Sequence, residues 1–200
     1  MGVANQAVIV AVMGASGSGK STYIKQQIRR GKPTRLIIFD PMGEYGEIAQ
    51  PVNSLHQLAK AAKGQKFRLA FKPDAGKAEA QFNLLCKIAY AAGECWLVVD
   101  ELAIVTKPGS APPGWADCSM RGRHKGLTVI GASQRPASID KHFFGNATQI
   151  RTGRLNFAAD IKVLANVLHV DQVEISQLKP LEYIERQMQT GQIGRGKIKI

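Results

Sequence analysis

The residues Gly14-Ala15-Ser16-Gly17-Ser18-Gly19-Lys20-Ser21 fit the spacing G-x-x-x-x-G-K-[ST]. Glycines so placed let the backbone curl until successive N–H groups point at one centre, and a helix that follows adds the positive end of its dipole. That is the chemistry of a phosphate cradle. Lys20 would reach the β- and γ-phosphates of ATP, the Ser21 hydroxyl is the expected Mg²⁺ ligand, and the nucleotide-contacting run extends from Gly14 through Thr22. A glycine-rich turn with a stray lysine is the competing explanation, and the flanks argue against it. Ala7–Met13 is an apolar run of strand length, and helical spacing follows from about Lys20 to Arg30, with Ile24 and Ile28 on one face and Gly31 as the stop.

A cradle alone does not separate hydrolysis from phosphate transfer. Trp96-Leu97-Val98-Val99-Asp100-Glu101 places two acids at the carboxyl end of a buried strand, where open α/β sheets bind their ligands. Asp100 is expected in the Mg²⁺ shell, and Glu101 is expected to position or deprotonate the attacking water. An acid directly after Asp100 suits hydrolysis, whereas a kinase of small molecules needs an acceptor pocket. A third element, Leu127–Pro136, is an apolar strand ending in Ser133-Gln134-Arg135-Pro136. Gln134 is neutral and both donates and accepts, which suits sensing a γ-phosphate or orienting the water. The fourth is Asp40-Pro41-Met42-Gly43-Glu44-Tyr45, where either Asp40 or Glu44 faces the nucleotide or the stretch is an ordinary turn.

These groups need a scaffold, and the hydrophobic pattern supplies one. Leu36–Phe39, Phe67–Phe71, Trp96–Val99 and Leu127–Ile130 join Ala7–Met13 as runs that are apolar throughout, the pattern of parallel strands covered on both faces. Between them lie a helix capped by Asn53 or Ser54 and running to about Lys63, and one over about Lys77–Ala92 with Phe82, Leu85, Ile88 and Ala89 on one side. The expected fold is an α/β P-loop NTPase with a mostly parallel sheet flanked by helices. Tyr183–Gln189 and Gln192–Ile200 flank Thr190-Gly191 and predict a terminal β-hairpin. At 200 residues the chain is expected to form one ATPase domain, with a core over about 7–154 and C-terminal helices and hairpin over about 155–200.

Charge narrows the partner. Lys and Arg number 27 against 15 Asp and Glu, a net +12. The excess clusters over Lys20–Arg35, Lys60–Lys77, Arg121–Arg154 and the end of the chain at Arg195, Lys197 and Lys199. Such a surface favours a polyanion. With aromatics at only 6%, sequence-neutral contact with DNA phosphates is expected over a stacking platform for single strands. Three cysteines without C-x-x-C spacing fit reduced thiols. The longest apolar run near the start is too short to span a bilayer, and no basic residue precedes it, so a cytoplasmic chain without membrane insertion is expected.

Together the four elements resemble the FtsK–HerA superfamily of DNA-pumping ATPases over roughly Val8 to Arg151. The specific parts are GASGSGKS, Asp40–Tyr45, LVVDE, and Gly122-Arg123-His124 leading through GLTVIGASQRP to Ser138-Ile139-Asp140. A bare motor of this size is similar to the genome-packaging ATPases of membrane-containing icosahedral viruses and phages. That resemblance implies a homo-oligomeric ring, taken as a hexamer, that drives double-stranded DNA into a procapsid from the host cytoplasm or a packaging vertex, with capsid or portal proteins as further partners. It makes Lys20 and Ser21 nucleotide ligands, Asp100 and Glu101 the acidic pair and Gln134 the sensor. It also implies an arginine finger supplied in trans, for which Arg123 and Arg121 are the first candidates and Arg151 and Arg154 the next. The loop Lys107–Trp115 leaves the catalytic strand and is expected either to reach a central channel or to be a passive connection. The competing classes are a nucleotide-kinase-type phosphotransferase, disfavoured because no Arg-rich lid is evident, and a plasmid, mobile-element or phage-assembly ATPase.

Overall fold

Residues that are apolar on both sides of a strand can sit only at the centre of a sheet, and the predicted runs do so. The structure, a computed structural model, describes residues 8–199; Ala7 of the first predicted run and Ile200 of the predicted hairpin lie outside it. Nine strands form one sheet in the order β3-β4-β2-β5-β6-β1-β7-β8-β9. They are β1 (Val8–Met13), β2 (Arg35–Phe39), β3 (Gln50–Val52), β4 (Phe67–Phe71), β5 (Trp96–Val99), β6 (Thr128–Ser133), β7 (Gln149–Thr152), β8 (Glu182–Gln187) and β9 (Ile193–Lys197). Pairing is parallel from β3 through β7 and antiparallel for β7–β8 and β8–β9. The terminal hairpin is therefore present, and it extends the main sheet.

Strand parity divides the core in two. Ile9, Ala11, Met13, Ile37, Phe39, Leu97 and Val99 point to one face with α3 (Ala78–Ala92) and α6 (Ala158–Leu168). The same face holds α2 (Leu55–Ala61), α4 (Pro113–Ala116), α5 (Lys141–Asn146) and α7 (Gln172–Ser176). Val10, Val12, Leu36, Ile38, Val98 and Ile130 point the other way, onto α1 (Lys20–Gly31), the Tyr45–Ala49 loop and Ile198. Ser54, not Asn53, caps α2, accepting from the Gln57 amide at 3.4 Å.

Some segments differ from expectation. The loop after β5 does not leave the body as a whole, because Trp115 is fully buried, packing on Phe82 and Phe143 with ring centroids 5.7 and 5.2 Å away. Only Lys107–Ser110 stands out, closed by mutual backbone hydrogen bonds of 2.9 and 3.0 Å. A π-helical turn, Asp117–Arg121, and a 3₁₀ turn, Gly122–Lys125, then return the chain to β6.

The hairpin is tied to the sheet by a buried cation. Arg151 on β7 lies between the rings of Tyr23 and Tyr183, 3.8 and 3.5 Å from their centroids, and donates to Glu185 Oε2 at 3.0 and 2.7 Å through Nε and Nη2. Gln149 Nε2 donates to the same oxygen at 3.0 Å. Arg151 is thus committed to joining α1 to the hairpin, which removes it as a finger candidate. Removing the anion would leave the guanidinium enclosed without its partner. Glu185→Ala is expected to lower stability by about 2–3 kcal/mol in urea unfolding, and a change below about 0.5 kcal/mol would show that the hairpin docks independently of the pair.

Candidate nucleotide-binding site

Parallel neighbours end together, and here β5, β6 and β1 are consecutive in the sheet. Met13 pairs with Ser133 and Val99 with Gly131, so the phosphate loop, the two acids and Gln134 emerge at one edge. β2 lies beside β5 and delivers Asp40–Tyr45 to the same edge. Between them is a cavity of about 340 Å³ lined by Ser16, Gly17, Gly19, Lys20, Ser21, Thr22, Met42, Glu44, Asp100, Glu101 and Gln134. The structure thus brings the predicted Lys20, Ser21, Thr22, Asp100, Glu101 and Gln134 together.

The loop is braced from outside and left open within. The amide of Gly14 donates to Ser133 O at 3.2 Å and that of Ala15 to Arg154 O at 2.7 Å. Gly14 has φ +150°, and a Cβ there would collide with Ser18. Gly19 has φ +92°, and a Cβ would lie 2.6 Å from Ile198 Cδ1 and 3.1 Å from Leu181 Cδ2, so the segments flanking the hairpin pack directly on the loop. No side chain caps α1 and its first turn holds no acid. Its leading amides and dipole are therefore free for an anion. Lys20 Nζ donates to Ala15 O at 3.2 Å. Burial pulls the Lys20 ammonium below its usual range, while Glu101, Asp100 and Glu44 push it back up.

The acids divide their labour. Asp40, one of the two alternatives left open, is buried and accepts from the amides of Gly43, Glu44 and Tyr45 at 2.8, 2.9 and 3.0 Å. It shapes the turn, and Glu44 lines the cavity. Asp100 is 7% exposed. Burial and then Glu44 raise its pKa to about 6, against the lowering influence of Lys20 and Tyr45. Tyr45 is fully buried with its hydroxyl beside Asp100 and Ser21, yet that hydroxyl has no hydrogen bond of good geometry. An acid that resists ionising, next to an orphaned hydroxyl, is a pair whose electrostatic cost a positive charge placed there would relieve. Tyr45 closes the fourth of the sequence elements, which assigned it no role of its own. Glu101 adopts φ +70°, ψ +70°, an uncommon conformation for a non-glycine residue. Its carboxylate accepts from Ser133 Oγ at 2.9 Å and from the Gln134 amide at 3.2 Å.

The arginines are elsewhere. Arg121 and Arg123 are exposed, and the segment that carries them enters β6 at the end opposite Gln134, roughly 20 Å along the strand. They cannot reach the cavity of their own chain. Arg154 Nη1 donates to Asn156 at 2.8 Å, while its backbone carbonyl holds the loop.

The loop, the paired acids and the sheet order define a P-loop NTPase. The family model described as Helicase HerA, central domain, matches residues 9–90. Protein P9 of Pseudoalteromonas phage PM2 is 32% identical over 173 residues, covering 84% of this chain and 78% of that protein. The chain belongs to this family of HerA-like P-loop NTPases. Among solved structures, the genome packaging NTPase B204 of Sulfolobus turreted icosahedral virus 2 in complex with ATP-γ-S superposes with a TM-score of 0.82 at 20% identity, covering 96% of this chain and 98% of that one. Its complex with AMPPCP gives 0.81 at 19% identity, with 97% and 98% covered. The bacterial conjugative coupling protein TrwB gives 0.70 at 13% identity, with 96% and 85% covered.

The Asp100 environment yields a test. Its folded pKa of about 6 lies above the ordinary 3.8, so the folded chain binds a proton more tightly than the unfolded one. Without metal, stability must therefore fall as pH rises from about 4 to 6 and stay reduced above that. Asp100→Asn removes the cost. In chelator, the variant is expected to exceed the parent by about 1–3 kcal/mol at pH 8 and to converge with it below about pH 4, measured by denaturant unfolding.

Proposed function

We propose that the chain is an ATP-hydrolysing motor that translocates double-stranded DNA, acting as a homo-oligomeric ring in viral genome packaging. The observation that carries this reading is the convergence of Lys20, Ser21, Asp100, Glu101 and Gln134 on one cavity, in a chain of the same family as phage PM2 Protein P9. The full-length likeness to B204 adds a fold on which a packaging NTPase is built.

In this reading the amides of the loop and of the first turn of α1 hold the phosphates, and Lys20 adds charge between β and γ. Ser21 and Asp100 would hold Mg²⁺. Among the described residues no group of three or more His, Cys, Asp or Glu could bind a metal alone, which fits an ion that keeps waters and shares its shell with phosphates. Bound there, Mg²⁺ would neutralise charge on the phosphate oxygens. Glu101 accepts the proton of the attacking water, and Gln134 orients that water against the γ-phosphate. Because Arg121 and Arg123 cannot reach their own cavity, either would act on a neighbouring subunit, which is what a ring provides.

Basic side chains suit the polyanion. A groove of about 590 Å³ between α1 and the C-terminal segment carries Arg29, Arg30, Lys197 and Lys199. Arg151 and Glu185 neutralise each other on its wall and Arg29 meets Glu47 in an exposed pair at 3.9 Å, which leaves Arg30, Lys197 and Lys199 for phosphates. No helix among the described residues is long and apolar enough to cross a membrane. The procapsid and its vertex proteins are the receiving partners of this reading.

Three measurements test it. ATP hydrolysis is expected to rise with double-stranded DNA at low salt and to lose that stimulation as salt increases. Lys20→Ala should abolish nucleotide binding. Glu101→Gln should keep binding while slowing hydrolysis at least about 100-fold. A rate indifferent to DNA would refute translocation, and phosphate transfer from ATP to nucleoside monophosphates would favour the phosphotransferase class.

A further inference from the structure

Glu101 pays for its position with an uncommon backbone, and what it gains is contact with the end of β6. Its Oε1 accepts from Ser133 Oγ at 2.9 Å and from the Gln134 amide at 3.2 Å, while Oε2 keeps only the Gln134 contact at 3.3 Å. Ser133 is fully buried, so its hydroxyl cannot exchange these partners for bulk water. The same hydroxyl accepts from the Arg135 amide at 3.0 Å. With that lone pair engaged, the hydroxyl proton is directed at the glutamate.

The donor that sets this arrangement is itself fixed. Arg135 Nε donates to Asp160 Oδ2 at 2.8 Å, and its guanidinium stacks 4.0 Å from the Phe157 ring centroid. Asp160 is fully buried, and its other oxygen accepts from the Ala137 amide at 2.8 Å. The chain on the far side of Gln134 is thus clamped to the start of α6. Two members of this network reach the cavity, the Glu101 carboxylate and Gln134, and the Ser133 side chain bonds directly only to the first of them.

We propose that Ser133 is a positioning residue for hydrolysis: its hydroxyl holds one oxygen of Glu101 so that the other, Oε2, is presented to the attacking water. This rests on the assignment of Glu101 as the proton acceptor. An oxygen held by two donors is a poor base, whereas Oε2, with a single long contact, has lone pairs to spare. Ser133 reaches the reaction through Glu101, the other contact of its hydroxyl being the Arg135 amide, which Asp160 and Phe157 hold in place. It should therefore affect turnover and leave ground-state nucleotide binding unchanged.

The experiment compares the full-length protein with Ser133→Ala, Glu101→Gln and the double variant, using single-turnover ATP hydrolysis, ATP-γ-S binding and thermal unfolding. Ser133→Ala is expected to lower the hydrolysis rate about ten-fold, the scale of a hydrogen bond to a charged group. Its ATP-γ-S Kd should stay within about two-fold of the parent, since only a transition-state interaction is lost. In the Glu101→Gln background the same substitution should cost nothing further, because the residue it positions is already gone. A Ser133→Ala rate equal to the parent, an equal proportional loss in both backgrounds, or a loss that follows weakened ATP-γ-S binding overturns the proposal. If Glu101→Gln itself hydrolyses ATP normally, the reading of Glu101 fails first. If Glu101→Gln is inactive and Ser133→Ala is not, only the role of Ser133 fails.

Discussion

The whole site depends on three parallel strands, β5, β6 and β1, lying side by side. Parallel register makes their carboxyl ends coincide, so residues more than a hundred positions apart meet without any loop having to search for its partner. Gly14 shows how directly the pairing acts, since its amide bonds to the carbonyl of Ser133, the residue opposite the end of β1. The phosphate loop is in that sense a continuation of the ladder. Helices crowd one face of this ladder, and α1 with the Tyr45 loop and Ile198 covers the other. The edge between the two cores is where polar groups can gather.

That edge is electrostatically unfinished. Lys20 is held below its usual range by burial and Asp100 above its own, so each charge is costlier than in water. The hydroxyl of Tyr45, beside Asp100 and Ser21, lacks a partner. A protein interior tolerates such groups where a ligand completes them. Phosphates would complete the amides and Lys20, and a divalent cation would complete Asp100, Ser21 and the phenol. Stability given up in the empty state is recovered on binding, which couples nucleotide occupancy to rigidity at this edge.

Much of this was legible beforehand because it rests on local chemistry. The glycine spacing, the apolar runs and the acids at the end of β5 carry their meaning within a few residues. What stayed hidden depends on distant partners. β7, Gln149-Ile-Arg-Thr, has little strand-like apolarity because Gln149 and Arg151 spend their polarity on Glu185 and Tyr23, an arrangement visible only once β8 lies alongside. For the same reason a basic residue near a motif suggested a catalytic arginine where the fold uses it as a rivet. Ser133 and Tyr45 stood inside recognised segments without a role of their own, since a serine ending an apolar strand or a tyrosine in a turn gains its role from a neighbour that only tertiary structure supplies. The stretch from Pro112 to Trp115 looked like a free loop because Pro and Gly there disguise an anchor in the aromatic core.

Gly14 and Gly19 belong to one motif but answer to different constraints. A side chain at Gly14 would strike its own loop, whereas one at Gly19 would strike Ile198 and Leu181 from the far end of the chain. The last strand pair is thus a template for the first turn of α1 as much as a cover for it. Alanine at either position would strain the backbone of the cradle, since both glycines have positive φ, and at the second it would also disturb the docking of the C-terminal segment. Two losses of function that look identical in an activity assay would then differ in reach, one confined to the cradle and one extending to the wall against which it is cast.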